Sequence, residues 1–186
     1  TIRYGLGAIK GVGQGACEAV VAQRQLGGAY ASLLDFCHRC ASAKLNRRTL
    51  EAMIHAGALD GLGPNRASLL LQLPEVLKAT EQMAREKAAG QSSLFGAPDT
   101  AGASAQLDLP QSAEMPLGQL LQGEHDTLGF YLSGHPFDPV ADDVRDMVGT
   151  DLGMLEGLVT PARPARDGEK RAWRAESIVV LAGLVV

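Results

Sequence analysis

The chain has 186 residues, of which 46% are hydrophobic but only 4% aromatic, so Leu, Val and Ala build its core. This length allows one or two domains with a buried core. No apolar run reaches the ~18 residues of a membrane span, and the first residues do not resemble a signal peptide, so we expect no membrane partner.

The charge is divided unevenly along the chain. The net charge is −4, yet residues 1–66 carry 8 Lys and Arg against 4 Asp and Glu, and the remainder carries 9 against 17. An uneven division of charge indicates that the two parts have different partners. The basic part is a candidate for contact with phosphate groups, although an ordinary solvated surface could have the same composition.

The first half of the chain predicts helices separated by turns. The predicted helices cover residues 13–28, 31–40, 46–59 and 65–89. Ser32, Asn46 and Asn65 stand where N-terminal caps are preferred, because their side chains can accept a hydrogen bond from the first helical turn. Pro74 is expected to bend or break the last of these helices.

The stretch "GAIKGVGQGACEAVV" places glycines at the start of the first helix. Gly11, Gly13 and Ala16 formally satisfy the dinucleotide-binding fingerprint. That fingerprint requires a β-strand on each side, whereas a glycine pair and more helix follow here. A tight turn between two helices with no ligand is a second alternative.

The interpretation that we favour is a helix–hairpin–helix. Val12 would fill the gap between the helices, and Gly11 and Gly13 would supply positive φ and close approach. The N–H groups of residues 13–15, including Gly15, would face outward at a helix N-terminus, which favours anions, and Lys10 adds a charge. Contacts of this kind are made to phosphate groups and not to bases, so DNA binding would be independent of sequence and sensitive to salt.

A second helix–turn–helix without the glycines follows in "SLLDFCHRC", "ASAKLN" and "RRTLEAMIHAGAL". Lys44, Arg47 and Arg48 take the position of the phosphate-facing hairpin. Two such units side by side would straddle the minor groove of a duplex.

The three cysteines do not fit a disulfide framework, because their number is odd. Cys37 and Cys40 form a C-x-x-C pair, but a structural zinc needs four ligands, and only Cys17 and His55 could add to the pair. We interpret the pair as structural helix cysteines, with a metal or redox site as the alternative. Reduced thiols suit a cytoplasmic protein.

The second half predicts less regular structure. In chain order we expect a flexible linker, a connecting helix, an irregular connector and a β-strand, at residues 97–115, 116–137, 138–176 and 177–186. His125 and His135 are expected to be structural rather than catalytic. Because the chain begins with Thr1 and stops within the predicted strand, we expect it to be a fragment of a longer protein.

Leu94 and Phe95 stand side by side in a stretch that is otherwise small and polar, "AAGQSSLFGAPDTAGAS". An exposed apolar pair calls for a partner. The alternative is that the pair folds back onto the end of the long helix.

Several motifs together resemble one family. The motifs are "IRYGLGAIKGVGQGACEAVV", "SLLDFCHR", "LNRRTLEAMIHAGALDGLGPNRASLL", "GQSSLFG" and "TLGFYLSGHPFD". In this order they resemble the bacterial C-family replicative DNA polymerases, the family of DNA polymerase III alpha subunits. The resemblance implies a mainly α fold, with a tandem helix–hairpin–helix domain over residues 1–90 that touches duplex DNA. It also implies that residues 177–186 are the first strand of a truncated oligonucleotide-binding barrel.

The resemblance also implies a role for residues 91–96. "QSSLF" looks like the family's internal peptide for the sliding clamp, in which Gln91 bonds at a pocket rim and Leu94 and Phe95 fill an apolar cleft. Ser92 and Ser93 lie between these anchors. The implied partners are duplex DNA, the sliding clamp and other polymerase III holoenzyme subunits.

The chain is expected to carry no catalytic residues, no metal and no cofactor. Polymerase chemistry needs clustered carboxylates that hold Mg²⁺, and the acids of "DVRDM" and "ADD" are predicted to lie on an acidic helical surface instead. In the resembling family the catalytic aspartates lie upstream, so the longer protein would be the Mg²⁺-dependent polymerase. An error-prone relative of this family and a stand-alone DNA-repair module remain alternatives.

Overall fold

The computed structural model describes residues 4–43, 45–88, 109–148, 152–154 and 179–183. It divides the chain into two compact units, Thr1–Gly134 and His135–Val186. Within these described ranges the protein is mainly helical, as predicted, and contains no β-strand.

The described part of the first unit contains five α-helices. They are α1 Gln14–Gly27, α2 Leu33–Arg39, α3 Arg47–His55, α4 Arg66–Ala88 and α5 Leu117–Leu128. Single 3-10 turns lie at Leu6–Ala8, Ala41–Ala43 and Asp60–Leu62. The helix–hairpin–helix interpretation expects a helix on each side of the turn at residues 11–13. The element before this turn is the 3-10 turn Leu6–Ala8 rather than an α-helix.

The helix starts follow the predicted capping residues. Ser32, Asn46 and Asn65 each accept a hydrogen bond from the backbone N–H three residues further on, at 3.2, 2.8 and 2.7 Å. Each bond satisfies one of the N–H groups that a helix N-terminus leaves without a partner. The three caps are confirmed.

Helix α4 contains Pro74 without ending there, so of the two expected effects, a bend or a break, the break does not occur. Proline removes one backbone hydrogen bond of a helix. The side chains of Leu73 and Val76 on either side are fully buried, and Pro74 itself faces solvent. Burial of the apolar face, at about 1.5–3 kcal/mol for each large side chain, offsets the missing bond.

The core of the first unit lies where α2 and α3 pack against α4. Its large side chains are less than 2% exposed, and they are Leu33, Phe36, Leu50, Met53, Ile54, Leu69, Leu73 and Val76. No aromatic residue other than Phe36 is among them, as the composition predicted.

Residues 109–114 form an extended strap along the N-terminal half of α4, which we call the α4 strap. Gln72 Nε2 donates to Pro110 O at 2.9 Å. Ser68 Oγ donates to Ser112 O at 3.1 Å and accepts from Ser112 N at 2.9 Å. The end of the predicted linker is thus bonded to a helix, because Ser68 and Gln72 supply partners for its backbone; residues 97–108 lie outside the described part.

The helix predicted over residues 116–137 ends at Leu128, nine residues early. Gly129 follows it with φ +84° and ψ 8°, a left-handed conformation that glycine adopts without strain and that ends helices. The chain then turns back, and the carboxylate of Glu124 accepts two backbone N–H groups from the loop after the helix. These bonds replace those that a longer helix would have made.

The second unit contains one described α-helix, α6 Ala141–Met147, between 3-10 turns at Asp138–Val140 and Leu152–Met154. The connector predicted over 138–176 is therefore partly helical, and two acids in the first turn of α6 suit the positive end of its dipole. Within the strand predicted at 177–186, residues 179–183 have no strand pairing. A strand needs a neighbour to supply its hydrogen bonds.

No helix within the described ranges is both long enough and apolar enough to cross a membrane.

Candidate nucleic-acid interface

The predicted turn around Gly11, Val12 and Gly13, which we call the glycine turn, lies between the first 3-10 turn and α1. Gly11 has φ +89°, which favours glycine, whereas Gly13 has φ −78° and ψ 160°, an extended conformation open to any residue. The expectation of positive φ at Gly13 is wrong, because the chain already reverses at Gly11. Val12 is 7% exposed and packs into the core cluster, as predicted.

The N-terminus of α1 faces outward next to this turn. Gly13 is its N-cap, no side chain caps it, and the first turn contains no acid. A Cβ atom at Gly11, Gly13 or Gly15 would meet nothing within 4 Å, so the surface is open to an approaching ligand. Backbone N–H groups in this arrangement suit an anion. The side chain of Lys10 is exposed beside them.

The second turn that the sequence predicted to face phosphate groups, which we call the basic turn, lies at the start of α3. Arg47 and Arg48 are exposed at its first two positions. Arg47 Nε is 2.7 Å from Glu51 Oε1, an exposed pair one helical turn apart that holds the guanidinium on the helix surface. Lys44 lies outside the described residues.

Two hydrogen bonds tie the glycine turn to distant helices. Thr49 Oγ1, on α3, donates to Gly11 O at 3.2 Å. Lys10 N donates to Thr127 O, at the end of α5, at 2.9 Å. The structure thus brings the glycine turn and the basic first turn of α3 together, because Thr49 on α3 is bonded to the glycine turn.

A buried ion pair fixes α5 against α4. Arg66 Nη1 is 2.8 Å from Glu124 Oε1, and the Glu124 side chain is fully buried. The same guanidinium donates to both carboxylate oxygens of Asp60, at 2.8 and 3.0 Å, and to His55 O at 3.1 Å. Arg66 therefore joins the start of α4 to the end of α3 and to α5.

Hydrogen bonds determine the charge state of this pair. Burial alone would raise the pKa of Glu124, but bonds donated by the Ser133 hydroxyl and by Ser133 N, Leu132 N and Arg66 outweigh it and lower the pKa. Burial likewise works against the charge of Arg66, and its bonds to Asp60 and Glu124 raise its pKa instead. Both groups are charged at neutral pH, which is the form that attracts.

Glu114, at the end of the α4 strap, caps the N-terminus of α4. Its carboxylate accepts from Arg66 N at 3.1 Å and from Ala67 N at 3.0 Å. Partial burial opposes its charge, and these bonds together with that from Met115 N lower its pKa. A carboxylate at this position also suits the helix dipole.

The C-x-x-C pair packs into the core. Cys37 and Cys40 are buried thiols, and burial, with a smaller contribution from Cys40, raises the pKa of Cys37 to about 12. A thiol with such a pKa is a poor nucleophile and a poor metal ligand. Among the described residues no group of three or more His, Cys, Asp or Glu is arranged to hold a metal ion.

The predicted clamp peptide, Gln91, Ser92, Ser93, Leu94 and Phe95, lies outside the described residues. His125 stacks on Tyr131 with ring centroids 5.2 Å apart. His135 Nδ1 accepts from Phe137 N at 3.1 Å in the turn before α6. Both histidines thus have contacts within their own segments.

Sequence reasoning missed Thr49, Glu124 and Arg66. One signal was available, since Glu124 falls three and four residues from Leu121 and Leu120 on the apolar stripe of α5. An acid at a buried position of such a stripe requires a partner. Nothing in the local pattern identifies that partner, because Arg66 is 58 residues away.

Comparison with known proteins agrees with this geometry. A family model described as a helix-hairpin-helix motif matches residues 1–69. The chain is also similar to proteins named DNA polymerase III subunit alpha. That of Xylella fastidiosa (strain Temecula1) is 60% identical over 188 residues, which cover 100% of this chain and 16% of the relative.

Two further relatives carry the same name. The Escherichia coli (strain K12) protein is 42% identical over 174 residues, covering 87% of this chain and 15% of the relative. The Haemophilus influenzae (strain Rd) protein is 39% identical over 185 residues, covering 100% and 15%. The chain therefore spans about 15–16% of the length of the curated relatives that it matches. This similarity along the whole chain, together with the helix–hairpin–helix match, shows that the chain is homologous to one part of the DNA polymerase III alpha subunits.

Proposed function

We propose that this chain binds the backbone of duplex DNA without reading its sequence, as a non-catalytic part of a longer polymerase. The observation that supports this most is the outward-facing, uncapped N-terminus of α1 beside the basic first turn of α3. The first offers backbone N–H groups and the second offers guanidinium groups, and both bind phosphate oxygens. Phosphate contacts carry no direct sequence information.

Anisotropy titration of a labelled duplex tests this proposal. If about 3–5 phosphates are neutralised, the logarithm of the affinity should fall with the logarithm of the salt concentration with a slope of roughly −3 to −4. Lys10→Ala and Arg48→Ala should each weaken binding and reduce the slope by about 1. Scrambling the duplex sequence should change little.

Arg24→Ala is the matched control, because Arg24 is an exposed cation at the opposite end of α1. It removes the same charge from the chain but not from the proposed interface, so its affinity should stay close to that of the wild type. Equal losses for Arg24→Ala and Arg48→Ala would mean that only net charge matters. A strong preference for one base sequence would contradict the proposal.

We further propose that residues 91–95 bind the sliding clamp. The support is the Gln-x-x-Leu-Phe pattern between two glycines, Gly90 and Gly96, in a stretch that gives Leu94 and Phe95 no local apolar partners in sequence. In the sequence the motif stands between α4 and the α4 strap, so the clamp would bind an internal segment rather than a chain end.

Calorimetry with purified sliding clamp tests this second proposal. A short peptide buries little area, so a dissociation constant of about 1 μM, about −8 kcal/mol, is expected. Leu94→Ala with Phe95→Ala should abolish detectable binding, since two anchors are worth ~3–5 kcal/mol. Leu26→Ala is the control, because Leu26 on α1 is 82% exposed and apolar. Unchanged binding of the double variant would rule out this role for the pair.

The longer protein is proposed to be a DNA-directed DNA polymerase that acts in the cytoplasm with other holoenzyme subunits. Its Mg²⁺-binding carboxylates would lie outside this chain, and residues 177–186 would supply the first strand of an oligonucleotide-binding barrel. Primer extension with Mg²⁺ tests this division of labour. The longer protein should incorporate nucleotides and the 186-residue chain should not.

A further inference from the structure

The glycine turn is held at one peptide group from both sides. The C=O of Gly11 accepts from Thr49 Oγ1 at 3.2 Å, and the N–H of Val12, in the same peptide group, donates to Ile9 O at 3.1 Å. A peptide group is planar, so fixing its oxygen and its hydrogen fixes its orientation. That orientation determines how the following residues, Gly13 and the first turn of α1, are presented to solvent.

The donor of this bond is itself tightly held. Thr49 is 8% exposed, and its backbone N–H donates to the capping Asn46 Oδ1 at 2.8 Å. It directly follows Arg47 and Arg48 in the first turn of α3. The backbone of Thr49 is therefore part of the basic turn, while its side chain bonds to the glycine turn.

Helix α5 holds the other side of the turn. Thr127 O accepts from Lys10 N at 2.9 Å, and the Arg66–Glu124 pair anchors α5 against α4. Because the acceptor on α5 is a backbone carbonyl, no substitution removes it cleanly. The hydroxyl of Thr49 is the part of this support that a single substitution can remove.

We propose that Thr49 is a positioning residue for duplex binding. Resting on the proposed DNA-binding function, the inference is that its hydroxyl keeps the glycine turn in fixed register with Arg47 and Arg48. Both turns then meet phosphate groups of one duplex without first being ordered. Loss of the hydroxyl removes no DNA-contacting group. Binding would then have to order the glycine turn, which costs conformational free energy and weakens the affinity.

The test compares Thr49→Val, which keeps the shape and removes the donor, with Thr49→Ser, which keeps the donor. One net hydrogen bond corresponds to about 3- to 10-fold in affinity, so Thr49→Val should bind duplex that much more weakly and Thr49→Ser close to wild type. The salt slope should be unchanged in both, because no charge is removed. Titrations are run at a temperature where circular dichroism shows every variant fully folded.

A double-mutant cycle separates register from general stability. In an Arg47→Ala/Arg48→Ala background the basic turn makes no guanidinium contacts, so register no longer matters and Thr49→Val should have little further effect. A loss of the same size in both backgrounds would overturn the inference, because Thr49 would then act on the glycine turn alone or on the fold.

Amide hydrogen exchange of the DNA-free protein supplies a readout that does not depend on DNA. The Val12 amide should exchange faster in Thr49→Val than in the wild type or Thr49→Ser. Unchanged exchange would overturn the inference, as would faster exchange with unchanged affinity. If the wild-type chain shows no salt-sensitive duplex binding, the proposed DNA-binding function itself is wrong, whatever the exchange shows, and the role of Thr49 in binding falls with it.

Discussion

Two glycines of the same turn have different physical roles. Gly11 has φ +89° and is needed for the path of the backbone, whereas Gly13 has an extended conformation and only leaves the space outside it open. Side chains at positive φ are strained, but a side chain at Gly13 is not.

Gly11→Ala should therefore lower the free energy of unfolding by about 1–2 kcal/mol. Gly13→Ala should change it by less than about 0.5 kcal/mol, as surface substitutions usually do, yet weaken duplex binding because a methyl group stands in front of the α1 N-terminus. Urea unfolding and duplex titration of both variants check this. If Gly13→Ala lost more stability than Gly11→Ala, the conformations assigned to the turn would be wrong.

At the scale of elements, the α4 strap determines how α4 begins. Asn65 caps the helix from within its own sequence, and Glu114 adds a second cap from 48 residues away. The two carboxylate oxygens of Glu114 take the N–H groups of Arg66 and Ala67. The α4 strap thus caps the start of α4, and the side chains of Ser68 and Gln72 on α4 hold the strap by hydrogen bonds.

Glu114→Gln should lower the free energy of unfolding by about 1 kcal/mol, the usual effect of weakening a cap. Its amide retains only one acceptor oxygen for three backbone donors, the N–H groups of Arg66, Ala67 and Met115, and the charge that suits the helix dipole is lost. Glu75→Gln, at an exposed position within α4, is the control and should be neutral. Thermal unfolding by circular dichroism measures both. Equal midpoints would show that Asn65 alone caps the helix.

Helix starts could be predicted from the sequence, whereas the end of α5 and the long-range bonds could not. Ser32, Asn46 and Asn65 act within three residues, so the local pattern contains their effect. The end of α5 depends on Gly129 together with the carboxylate of Glu124, which draws the following loop back to the helix. Leu132 continues the helical spacing of Leu121 and Leu128 and therefore suggested more helix, because the local sequence contains no sign of that carboxylate's bonds.

The candidate interface divides in the same way. The glycine turn and the basic turn were both visible as local motifs, at Lys10–Gly15 and at Arg47 and Arg48. Their connection through Thr49 was not, because Thr49 and Gly11 are 38 residues apart and nothing in either segment indicates the other.

At the scale of the whole first unit, the Arg66–Glu124 pair joins α3, α4, α5 and the loop after α5. Glu124 has a pKa below its ordinary value of 4.5 in the folded chain. A lowered folded pKa adds stability that is fully present above pH 4.5 and is lost as the pH falls through the folded pKa. The unit should therefore lose this stability as the pH falls below about 4.5 and through the folded pKa of Glu124.

Glu124→Gln should lower the free energy of unfolding at neutral pH by about 3 kcal/mol, because it leaves the buried end of Arg66 short of a charge. The difference from wild type should shrink as the pH falls below 4.5, where the wild-type carboxylate also becomes neutral. Asp126→Asn, exposed on the same helix, is the control. Urea unfolding across the pH range measures both, and a difference that stayed constant with pH would exclude an electrostatic cause.

The return of the chain along α4 also has a consequence for covalent continuity. Leu109 packs against the core, Ser112 and Glu114 bond to α4, and Glu124 pairs with Arg66. A protease site inserted between residues 89 and 108 and then cut should therefore give two polypeptides on a denaturing gel but a single species in gel filtration. The two pieces, expressed separately, should reassemble on mixing. Non-covalent contacts, and not the peptide bonds between residues 89 and 108, would then hold the two parts of the first unit together.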